Sequence, residues 1–144
     1  MALTRTPDWQ SSLSAYLIST YTVPFRYGQL DCGLFVAGAI AAMTGVDVAG
    51  ELRGRYRNRR EAFAAIQAMC GSASMGAIAD HLARQFEIVE IRVLMAQRGD
   101  AVQLQSGRRA SLGIVAMHGT EILTPYRAGI LRLPLTEATR AWRI

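Results

Sequence analysis

The apolar pattern of this chain changes period near residue 87. Before that point hydrophobic residues recur at helical spacing; after it they alternate, with many β-branched residues. Helices first and strands second confine the chain to an α+β fold, with N-terminal helices packed on a C-terminal antiparallel sheet. The 144 residues suit one domain spanning 1–144, and 51% hydrophobic content is enough for a core without disulfides or metals. No repeat or low-complexity linker interrupts it.

Four helices are expected. "TPDWQSSLSAYLIST" places Trp9, Leu13, Tyr16 and Leu17 on one face, with Thr6 as cap and Pro7 at the first helical position. "YTVPFRYGQ" reads as a loop. Asp31 caps a helix from Cys32 to about Thr44, which Gly45 stops. Its small residues, among them Gly33, Ala37 and Gly38, let another element approach closely. "NRREAFAAIQAMCG" and "SMGAIADHLARQF" are the third and fourth, the latter capped by Ser74. "EIVEIRV" then reads as a strand, and "GDAVQLQSGRRASLGIVAMHGTEILTP" as three more with tight turns at Ser106-Gly107 and His118-Gly119. "AGILRLPL" is another strand. "LTEATRAWRI" is expected to close as a short helix or turn capped by Thr136.

All 16 basic residues are arginines, and the net charge is +5. Much of it lies in "RGRYRNRR", where Arg53, Arg55, Tyr56, Arg57, Arg59 and Arg60 form a candidate protein-binding surface, since Arg and Tyr favour interfaces. A solvated helix entry is the plainer reading. Nucleic acid is disfavoured: no recognition motif accompanies the arginines. No apolar run approaches the ~20 residues of a membrane span, and "MALTRTPDW" has no apolar signal core. Cys32 and Cys70 do not make a disulfide scaffold, and His81 and His118 have no ligand pattern around them. Neither a metal nor a cofactor is expected.

The chemistry-bearing stretch is "FRYGQLDCGLFV". A helix N-terminus lowers a thiol pKa, so Cys32 is placed as a nucleophile, provided that the fold brings it a base. A small core residue that happens to be sulfur is the alternative. This stretch resembles the nucleophile segment of the NlpC-type, papain-like cell-wall peptidases. "RGDAVQLQ" and "SLGIVAMHGTEILTP" resemble the strand and hairpin that follow in that superfamily. "PFRYGQLDC", "LRGRY", "LGI" and the terminal "AWRI", with Trp9, are similar to a compact branch associated with tail-tip genes of tailed phages and prophages.

The resemblance implies a papain-like fold, a cysteine nucleophile at Cys32 and a base histidine at the position occupied by Ser111. The stretch Glu121–Thr124, where the orienting polar residue belongs, offers no histidine. Gly33 and Leu34 replace the Ser-Gly after the cysteine. His118 falls at the far turn of the hairpin, and His81 inside a helix. Gln29 and Tyr27 are candidate oxyanion donors. The expectation is a catalytically silent, structural component of a phage tail tip, located in the virion and contacting other tail proteins. The competing expectation is a tail-associated peptidoglycan endopeptidase that uses Cys32 with an unconventional base.

Overall fold

The structure, a computed structural model, describes residues 1–106 and 109–144. Four helices come first: α1 (Trp9–Thr20), α2 (Cys32–Thr44), α3 (Arg59–Cys70) and α4 (Met75–Gln85). Six strands follow: β1 (Val89–Ile91), β2 (Ala101–Ser106), β3 (Arg109–Val115), β4 (Glu121–Tyr126), β5 (Gly129–Pro134) and β6 (Ala138–Arg143). They form one antiparallel sheet in the order β1-β6-β2-β3-β4-β5. The fold is α+β, as the change of period implies.

Local signals set three of the helices. Asp31, Asn58 and Ser74 each cap a helix by accepting a backbone N–H, and Gly45 and Gly71 end α2 and α3 in the left-handed conformation. α1 departs from expectation. It begins at Trp9 behind Asp8, and the Thr6 hydroxyl bonds the Asp8 carboxylate at 2.9 Å instead of capping the helix. The Thr6 amide is held by the Met43 carbonyl, which fixes the entry chain against the end of α2.

α2 is the central element. Leu34, Phe35, Ile40 and Met43 are buried between α1 and the sheet. Tyr16 of α1 donates to the Phe35 carbonyl at 2.8 Å, and its ring lies where a side chain at Gly38 would stand. The small residues of α2 thus admit α1, as their spacing suggests. A second apolar cluster, with Val102, Val115, Ile122 and Ala141, packs the alternate residues of the sheet.

Two expectations about the elements are corrected. The first strand covers only Val89–Ile91 and passes into a 3₁₀ turn at Val93–Met95. The terminal segment is no helix: after a 3₁₀ turn at Leu135–Glu137, within which Thr136 caps nothing, Ala138–Arg143 becomes β6 between β1 and β2. Pairing with two strands, and burial of Ala141 and Trp142, outweigh the local helix signal. The turn at His118-Gly119 is present, whereas the one expected at Ser106-Gly107 lies outside the described residues. Among the described residues no single helix is long and apolar enough to cross a membrane.

Candidate active site

The loop before α2 is locked by a carboxylate. Asp31 is buried and accepts three hydrogen bonds: from the Leu34 amide (2.9 Å), the Gly28 amide (3.1 Å) and the Tyr56 hydroxyl (2.6 Å). Gly28 has φ +81° and packs directly on the Tyr56 backbone, and its carbonyl accepts from the Gly54 amide at 2.9 Å. Only glycine fits there, because a Cβ would strike the Tyr56 carbonyl. "YGQLDC" and "GRY", distant in sequence, are therefore one rigid unit that presents Cys32 at the start of α2.

This geometry corrects the reading of Tyr56. It is 7% exposed and belongs to the site's support, not to an interface. Burial, then its bond to Asp31, drives its phenol well above the ordinary tyrosine range. The neighbouring arginines divide. Arg53 is tied to Asp47 by two bonds of 2.9 and 3.1 Å, and Arg57 lies 3.9 Å from Glu61. Arg55 and Arg60 are exposed, and Arg59 stacks on Phe63.

The Cys32 thiol meets β3. Burial pushes its pKa up, and the negative charge of Asp31 adds to that; hydrogen bonds from the Leu112 backbone, the Ser111 side chain and the Gly33 backbone oppose the shift. The Ser111 hydroxyl lies 3.4 Å from Thr124 Oγ1, and the buried Thr124 donates to the Leu112 carbonyl at 2.8 Å. A line of thiol, hydroxyl and hydroxyl thus runs from α2 across β3 to β4. Ser111 stands beside the sulfur, but a neutral hydroxyl is no base at ordinary pH.

Neither histidine is near. His118 sits in the turn after β3, bonded to Glu121 at 2.9 Å, and His81 lies within α4; the cavity beside Cys32 is lined by neither. That cavity is lined by Tyr27, Cys32, Ser111 and Thr124 but not by Gln29, which is exposed. Of the two expected oxyanion donors, only Tyr27 lines the cavity. Burial raises its phenol pKa, against the pull of Arg59 and Arg109. Cys70, at the end of α3, takes no part in the cavity lining, and among the described residues no His, Cys, Asp and Glu group can hold a metal ion.

A family model described as a domain of unknown function, DUF6950, matches residues 4–144. The chain belongs to this family. No curated protein matches it. The match takes in every element of the DUF6950 chain, from the entry to α1 through β6, so the Cys32 site and its support lie inside the family domain. The sequence reading named Cys32 and Ser111 and left Thr124 within a four-residue stretch. It missed the pairing of Asp31 with Tyr56, which no local signal announces: the two are 25 positions apart.

Proposed function

We propose that this DUF6950 domain is a catalytically silent, NlpC-like papain fold that serves as a structural component of a phage or prophage tail tip. The observation that carries the silent reading is Ser111 beside the Cys32 thiol, at the position where the resemblance calls for a base. A thiol whose pKa is raised by burial is mostly protonated at neutral pH, and the protonated form is a poor nucleophile. The helix-borne cysteine, β3 and β4 meet in the order expected of a papain-like site, which supports the fold assignment. The tail-tip placement rests on the likeness of "PFRYGQLDC", "LRGRY" and "AWRI". Arg55, Arg57 and Arg60 supply the exposed surface for other tail proteins.

The large cavity opening at Cys32 favours a second reading, a peptidoglycan endopeptidase whose base comes from another chain. One set of measurements separates the two. On the silent reading Cys32 alkylates slowly up to pH ~8.5, the ordinary thiol range, with Cys70→Ser as background. Purified peptidoglycan is not cleaved, and the chain is found by mass spectrometry in tailed particles from the strain that carries its gene. Wall cleavage that disappears in Cys32→Ala overturns the silent assignment. Absence of the chain from purified particles overturns the tail placement.

A further inference from the structure

The cavity beside Cys32 has a volume of about 970 Å³, at the upper end of the roughly 300–1,000 Å³ of small-molecule sites. Polar groups gather at one end. Cys32 and Ser111 are there, and the start of α4 lies close by, because Met75 neighbours Gly33. The rest of the lining is largely apolar and includes Ile78 and Leu82 of α4 with Ile88 and Trp142. Met75, Ile78, Ala79 and Leu82 line it at three- and four-residue spacing, so α4 turns one apolar face to it.

Three arginines line the same cavity: Arg59, Arg109 and Arg127. Arg59 lies over Phe63 at 5.0 Å and Arg127 over Tyr126 at 5.8 Å. Among the described residues, none of the three is within ion-pair distance of a carboxylate. Arg59 and Arg109 line this cavity together with Tyr27, Cys32 and Ser111. The one acidic side chain among the lining residues is Asp31, whose oxygens already hold three donors.

We propose that this cavity binds a free long-chain carboxylate, its head between Arg59 and Arg109 near Cys32 and its apolar chain beneath α4. An apolar slot by itself accepts any oily chain. Guanidinium groups that no carboxylate pairs select an anion, because a carboxylate matches their paired N–H donors. A neutral alcohol leaves them unmatched, and a cationic amphiphile is repelled. A recess between helices on one side and a sheet on the other fits a single chain rather than a bilayer surface.

The test uses the full chain and cis-parinaric acid, a fluorescent long-chain carboxylate, with dodecanoate, dodecanol and dodecyltrimethylammonium as competitors. Parinarate binds and gains fluorescence, and dodecanoate displaces it at least tenfold better than the other two. The double variant Arg59→Gln/Arg109→Gln weakens binding at least tenfold at an unchanged melting temperature. Ala79→Phe, which fills the slot and leaves the arginines in place, abolishes binding with the circular dichroism spectrum preserved. Failure of parinarate to bind, equal displacement by dodecanol, or indifference to the arginine substitutions overturns the proposal. So does binding to phosphatidylglycerol vesicles without binding of dispersed parinarate.

Discussion

Asp31 holds three donors in a place that water barely reaches, and this explains why the loop before α2 is rigid. Tyr56→Phe removes one of those donors and leaves a buried carboxylate oxygen short of a partner. The expected cost is ~2 kcal/mol, read as a lower urea midpoint, and faster amide exchange around Gly28 and Gly54 localises it. At Cys32 the deciding residue is Ser111. An imidazole there would meet the sulfur directly, and an imidazolium favours the thiolate. Ser111→His should therefore bring the thiol pKa down and speed iodoacetamide alkylation at pH 7 by at least tenfold, with Cys70→Ser as background. An unchanged rate would show that the two side chains do not meet.

At the scale of elements, Arg140 ties three of them together. On β6, it bonds Asp80 of α4 at 2.5 Å and Glu90 of β1 at 2.8 Å, and it lies over Trp142 at 4.7 Å. These groups are partly exposed, so screening limits the pairing to about 1 kcal/mol. The bond from Arg140 holds the Glu90 carboxyl below its ordinary value of 4.5. A depressed carboxyl stabilises the fold above its unfolded pKa, and that contribution is lost as pH falls through the folded value. Arg140→Met should be less stable at neutral pH. Below pH ~4.5 the gap to the parent should narrow, as Glu90 of the parent protonates and the benefit of its pairing with Arg140 is lost. Thermal melts at pH 3, 5 and 7 check this. α3 and α4 meet at a 44° bend, and the pairing of Arg140 with Asp80 ties α4 to the sheet.

Across the whole molecule the ends of the chain are joined at Asp100, which is fully buried. It accepts from Arg5, Arg143, the Gln97 amide and the Ile144 amide, and Arg5 also donates to the Ile144 carbonyl at 2.7 Å. Asp100→Asn leaves two guanidinium groups without their counter-charge. It should cost about 3 kcal/mol, read by chemical denaturation, with exchange protection lost first in β6. The sequence was legible wherever the controlling interaction is local. The change of period announced α+β, the caps at Asp31 and Ser74 and the glycine stops at Gly45 and Gly71 bounded the helices, and the motif around Cys32 pointed to the site. It misled at "LTEATRAWRI" and at Tyr56, because their states depend on partners far along the chain: β1 and β2 for one, Asp31 for the other. By itself, then, the sequence determined the α+β class, the bounds of α2 to α4 and the cysteine at a helix start, since capping and periodicity act over a few residues. Only the tertiary structure decided that the last segment is an inner strand, that Tyr56 is buried support, and that Ser111 and Thr124 line up behind the Cys32 thiol. Each of these rests on contacts that do not exist until the chain has closed on itself.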